Sequence, residues 1–229
     1  MPAQQARAAL PTALLREAVA AGRVRPDAAQ EAVAERLDHV AAGLDAAPGK
    51  ARAGGWFSRL GFGARQAAPE PPPGPQGLYI HGPVGRGKSM LMDLFFAAAP
   101  VAERRRVHFH AFMLEIHDRL HRRRQARAEA DPIGPVAREI AAEARLLCFD
   151  EFQVTNIADA MILGRLFQGL FDAGVTVVAT SNTRLQDLYA GGLHLLDAVA
   201  VAHMKDFELF AAGTEVQRAI GEHAVAVEH

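Results

Sequence analysis

Residues 77–96 read GLYIHGPVGRGKSMLMDLFF. Within them Gly82, Gly87, Lys88 and Ser89 fill the pattern G-x-x-x-x-G-K-[ST]. A short apolar strand at 78–80 runs into a glycine-rich turn, and an apolar helix carrying Met90, Leu91, Leu94 and Phe95 starts at about Lys88. Gly82, Gly85 and Gly87 allow the backbone to wrap around an anion with its N–H groups pointing inward. The helix N-terminus faces the same anion. Pro83 has no N–H, so Val84, Gly85, Arg86, Gly87, Lys88 and Ser89 supply the backbone donors, with Met90 closing the segment. Lys88 is expected to reach the β- and γ-phosphates of ATP, and the Ser89 hydroxyl to hold Mg²⁺. The rival reading is a plain strand-to-helix turn with no ligand.

Composition sets outer bounds. The chain has 229 residues, 50% of them hydrophobic, with a formal net charge of −1. That suits one globular domain with an appendage, or two small ones, and nothing in the overall charge calls for nucleic acid. The one cysteine, Cys148, excludes an internal disulfide and reads as a buried, inert thiol. No apolar run approaches the ~18 residues of a membrane span. The N-terminus lacks a signal-peptide core, and Glu17 argues against a transit peptide, so a cytoplasmic location is expected.

Along the chain, residues 1–60 read as an N-terminal helical region. A first helix over 3–21 is closed by Gly22, and Pro26 fits the first turn of a second. Val33, Leu37, Val40 and Leu44 share one face of that second helix, which predicts a helical hairpin packed on a neighbour. Residues 61–76, rich in Gly and Pro, read as a linker, with Trp56, Phe57 and Leu60 as an apolar anchor before it. Strands are expected at 78–80, 106–110, 146–149 and 175–179, and helices at 88–98, 113–127, 136–143 and 158–171, the last closed by Gly174. Short apolar runs alternating with helices predict a parallel β-sheet flanked by helices on both faces. In such sheets ligands sit at the carboxyl ends of the strands.

Two further strand ends carry chemistry. Leu146-Leu147-Cys148-Phe149 is followed by Asp150 and Glu151. Asp150 would accept hydrogen bonds from water on Mg²⁺. Glu151 would take a proton from the water attacking the γ-phosphate. The third strand end, Thr180-Ser181-Asn182, places an amide where it can orient that water or cap a helix expected at 184–189. His108 and His110 alternate on the expected strand and read as core or subunit-contact residues in preference to a metal pair. Arg119, Arg122, Arg123, Arg124 and Arg127 read as a solvated helix face.

These stretches resemble an AAA+ P-loop ATPase. More closely, RRVHFHAFMLEIHDRL, LLCFDEFQVTNIADAMILGRLFQGLF and VVATSNTRLQDLYAGGL resemble the ZapE-type cell-division ATPases and their mitochondrial Afg/LACE relatives. The likeness spans about residues 77–193, read as the nucleotide-binding core. It implies ATP hydrolysis by a homo-oligomer acting on a protein partner, in the bacterial division apparatus or in mitochondrial quality control. The likeness fades after Leu193, so residues 194–229 read as a divergent or truncated tail. After Arg184 the only arginine is Arg218, so no arginine finger can be placed. The alternative is therefore a nucleotide-binding regulatory module with weak or no turnover.

Overall fold

The computed structural model describes residues 9–46, 77–126, 131–154, 156–184 and 208–211. The linker at 61–76, the Trp56 cluster, Arg127, all but the first residue of the helix expected at 184–189, and most of the tail lie outside the described residues.

Five parallel strands form one sheet in the order β2-β3-β4-β1-β5. They are β1 (Gly77–His81), β2 (Arg104–His108), β3 (Leu146–Asp150), β4 (Thr176–Ser181) and β5 (Glu208–Ala211). The central strands β1 and β3 are buried along their whole length, as continuous apolar runs in a doubly covered parallel sheet require. The edge strand β2 carries Arg104, Arg105 and Arg106 and is only partly buried; charge on an edge blocks pairing with a further strand. β5 was not among the expected strands. Its four residues pair with β1 from Leu78↔Glu208 to His81↔Ala211, so the sheet takes its fifth strand from the stretch read as tail. A run this short has too few residues for its period to stand out.

The residues alternate between two cores. Leu146, Cys148, Val178, Leu78 and Ile80 face one side, with α1 (Pro11–Ala20), α2 (Ala28–Ala46) and α3 (Lys88–Ala98). Leu147, Phe149, Val177 and Tyr79 face the other, with α4 (Phe109–Gln125), α5 (Ile133–Glu143) and α6 (Ile157–Asp172). Leu91, Met92 and Phe95 anchor α3 with no exposed surface, each contributing about 1.5–3 kcal/mol of burial.

The N-terminal helices form the expected hairpin. Val33, Leu37, Val40 and Leu44 are all buried. Thr12 locks α1 to α2 by donating to Asp38 from its N–H (3.1 Å) and its hydroxyl (2.6 Å). Gly22 takes φ +69° just past the end of α1, the left-handed position where glycine fits best. Pro26, however, precedes the second helix instead of opening its first turn. Asp27 stands between, its Oδ1 accepting from Ala29 N at 2.9 Å, and side-chain capping of a free N–H sets the boundary there.

β2 ends at His108, short of the strand expected to run to 110, and α4 starts at Phe109. Phe109, Phe112, Met113, Ile116 and Leu120 are all buried on one helical face, and that 3.6-residue period prevails over the short β-like alternation before it. His110 is therefore helical, and both His108 and His110 are exposed, neither in the core nor paired across a strand. The arginines that follow are knitted into the surface: Arg119 to Glu143 and Glu115, Arg122 to Asp118, and Arg123 to Glu139.

Candidate functional site

The sheet brings three chain turns to one edge. His81 at the end of β1 is in register with Ser181 at the end of β4, and Phe149 of β3 with Ala179 of β4. The glycine loop, Asp150-Glu151 and Asn182 therefore leave adjacent strands at the same level, at the carboxyl edge where open parallel sheets bind ligands.

In the loop, Gly85 (φ +81°) and Gly87 (φ +84°) take left-handed conformations. These turn the chain into α3, with Gly87 at the N-cap position. Gly82 N donates to Ser181 O at 3.2 Å, so that N–H belongs to the sheet. Val84 at the tip is 82% exposed. Ser89 is exposed on the first turn of α3, while Met90 is half-buried and packs into the core beneath. Lys88 folds back over the loop, its Nζ 2.6 Å from Gly82 O and 2.8 Å from Pro83 O. Partial burial lowers its pKa from the ordinary lysine value. A cation held over a concave turn, with a helix N-terminus behind it, suits a polyphosphate.

The N-terminal helices reach this loop directly, which the sequence reading missed. Gln30 Nε2 donates to Arg86 O at 3.1 Å, and Arg86 Nη2 pairs with Asp27 Oδ2 at 3.2 Å. A Cβ on Gly87 would lie 2.8 Å from Gln30 Nε2. Asp27 did not stand out in the sequence, and its contact with Arg86 spans 59 residues.

Asp150, at the end of β3, is buried. It accepts from Arg106 Nε at 2.6 Å (Oδ2) and from Arg106 Nη2 at 3.3 Å (Oδ1). Arg106 also pairs with Asp93 of α3. Neither Arg106 nor Asp93 stood out in the sequence, because one looks like edge-strand charge and the other like a helix surface residue. Glu151 is exposed and has φ +56°, the one positive φ among the described non-glycine residues. Such a conformation costs about 1–3 kcal/mol and persists where its surroundings enforce it. Here the enforcement is visible on the next residue: Phe152 N donates to Thr180 O, and Ser181 Oγ donates to Phe152 O, each at 2.7 Å.

Asn182 is exposed, one residue past β4. Its flank is held by Thr183 N donating to Ser181 Oγ at 3.1 Å and by Tyr79 Oη donating to Thr183 O at 2.9 Å. Burial pushes the Tyr79 hydroxyl up to about pKa 12, so it stays a donor. Cys148, buried mid-strand and likewise pushed up to about 12 by burial, is the inert thiol expected.

The donor set fits Mg²⁺. The hydroxyl at Ser89 is a hard oxygen ligand of the kind that Mg²⁺ shares with substrate phosphates and water, and the carboxylate at Asp150 can accept hydrogen bonds from that water. Among the described residues, no three His, Cys, Asp or Glu side chains gather to hold a metal alone. No described helix is long and apolar enough to cross a membrane.

The chain is similar to several known proteins. The pattern of the AFG1-like ATPase family matches residues 9–204. The chain is 40% identical to the cell division protein ZapE of Escherichia coli K12, over 80% of this chain and 48% of that one. It is 54% identical to lactation elevated protein 1 homolog B of Danio rerio, over 52% of this chain and 25% of that one. The chain thus spans about half the length of the bacterial relative, or less for the fish one. Domain III of the replication initiation protein DnaA from Thermotoga maritima superposes with a TM-score of 0.45 at 18% identity, covering 67% of this chain and 62% of that one.

Proposed function

The chain belongs to the AFG1-like ATPase family, and from that premise we propose that it binds ATP with Mg²⁺ at the carboxyl edge of its sheet and hydrolyses it. The observation that carries this reading is the shared level of three turns: the loop with Lys88 folded over it, the acidic pair after β3, and Asn182 after β4.

Each residue has a role its position supports. The N–H groups from Val84 to Ser89 cradle the phosphates. Lys88 exchanges its two carbonyl partners for the β- and γ-phosphate oxygens, and a charge-assisted contact there is stronger than either carbonyl bond. Ser89 and Asp150 would hold Mg²⁺, which when bound supplies positive charge against the charge developing on the phosphates. Glu151, exposed beside the buried Asp150, takes the proton from the attacking water. Asn182 orients that water through its amide.

The name of the bacterial relative supports a role in cell division; that the chain acts there on a protein partner, in the cytoplasm and as a homo-oligomer, is part of the same proposal. Nucleotide binding is tested by titrating a fluorescent ATP analogue into the wild type and Lys88→Ala. We expect loss of affinity by about two orders of magnitude, since the loop loses its one mobile cation. An unchanged affinity would remove the loop from the binding site.

A further inference from the structure

We propose that Arg106 is a positioning residue for Asp150, fixing the carboxylate plane that the Mg²⁺ site uses; the inference rests on the reading of Asp150 given above. Arg106 lies on β2 in register with Cys148, and His108 in register with Asp150. Arg106 is thus one same-face position short of the acid, and its side chain runs along the α3 side of the sheet to reach it. The contact is a fork: Nε to Oδ2 at 2.6 Å and Nη2 to Oδ1 at 3.3 Å. The remaining nitrogen, Nη1, pairs with Asp93.

This arrangement does more than neutralise a buried acid. The Asp150 side chain is 10% exposed and that of Arg106 24%, so the pair is screened less than a surface pair. A carboxylate offers about four lone-pair sites, and the fork uses two, leaving others for cation-bound water. The planar guanidinium fixes the orientation of the carboxylate, which a lysine ammonium cannot do. Asp93 belongs to α3, the helix whose first residues are Lys88 and Ser89. One guanidinium therefore ties the acidic strand to the helix that carries the phosphate and cation ligands. Partners of this kind typically change metal affinity by about 10–100-fold when removed.

The test is nucleotide affinity as a function of Mg²⁺, read with a fluorescent ATP analogue and needing no turnover. For each protein the affinity in EDTA serves as its own reference. The Mg²⁺ concentration that gives half the tightening should rise about tenfold in Arg106→Gln and nearly as far in Arg106→Lys, which keeps the charge but loses the fork. Asp93→Asn should shift it in the same direction by about threefold, and because Asp93 is 64% exposed that variant is expected to fold. If Arg106→Gln does not fold, the other two variants decide. A half-point equal to or below that of the wild type in the variants overturns the proposal; a lower one would mean that Arg106 competes with the cation. Wild-type binding that ignores Mg²⁺ overturns it while leaving the loop assignment intact. Absence of wild-type binding in either condition removes the underlying reading and this inference with it.

Discussion

Asp27 joins the start of α2 to the glycine loop: Oδ1 accepts from Ala29 N at 2.9 Å and Oδ2 from Arg86 Nη2 at 3.2 Å. Gln30, one turn on, holds Arg86 O. The N-terminal hairpin is therefore part of the wall behind the loop as well as a cover for the sheet. Asp27→Ala should cost about 1 kcal/mol from the lost cap. It should also release Arg86 and weaken nucleotide binding severalfold, because the loop must then be ordered by the ligand. Urea denaturation and nucleotide titration separate the two effects. A stability loss with unchanged affinity would mean that the loop holds its shape without α2.

Two glycines give opposite predictions from the same geometry. A Cβ on Gly169 of α6 would lie 2.8 Å from Ala137 Cβ of α5, whereas one on Gly43 of α2 meets nothing within 4 Å. Gly169→Ala should destabilise by about 1–3 kcal/mol as the two helices are forced apart. Gly43→Ala should stabilise by about 0.5–1 kcal/mol, the ordinary gain of alanine over glycine inside a helix. Thermal melts of both variants check the signs.

Much of this was legible in the chain. The loop, the four-residue apolar run before Asp150, and the Val33, Leu37, Val40 and Leu44 face each express a local rule: glycine freedom, continuous burial or helical period. What the sequence hid were relationships between distant residues. Arg106 looks like edge-strand charge until the register of β2 on β3 sets it beside Cys148, one same-face position from Asp150, which its side chain reaches. The left-handed backbone of Glu151 is imposed by Thr180 and Ser181 on the neighbouring strand, so nothing in its own neighbourhood announces it. The boundary between β2 and α4 was misplaced because the residues at 107–110 satisfy both periods, and only packing decides.

The ion-pair surface around α4 makes stability depend on pH with a definite sign. Glu115 accepts from Arg105 Nη1 and Arg119 Nε, each at 3.0 Å. The Arg105 hydrogen bond, against an opposing burial contribution and with help from Arg119, holds the Glu115 carboxyl below its ordinary value of 4.5. A group depressed on folding contributes stability that is fully present above its unfolded value and lost as pH falls through its folded value. Glu115→Gln should therefore melt below the wild type at pH 7, and the gap should close as pH falls below about 4.5. A gap constant over that range would show that Glu115 acts by packing alone.

Glu151 combines a left-handed backbone with the role of base proposed for it, and two substitutions pull these apart. Glutamine keeps the size and polarity of the side chain but cannot accept a proton. Glu151→Gln should therefore leave nucleotide binding near that of the wild type while slowing hydrolysis by about 10²-fold or more, the scale of a lost general base. Glycine keeps the φ of +56° without the steric cost, which for other residues is about 1–2 kcal/mol, though it gives back part of that through the freer unfolded chain. Glu151→Gly should thus melt at or slightly above the wild type and also lose hydrolysis. The two variants should match in rate and differ in stability, with Gly above Gln. Steady-state ATPase rates and thermal melts on the same preparations measure both. Wild-type rates in Glu151→Gln would remove Glu151 as the base, and a glycine variant less stable than the glutamine one would mean that the Glu151 side chain, in spite of its exposure, holds the turn after β3 together.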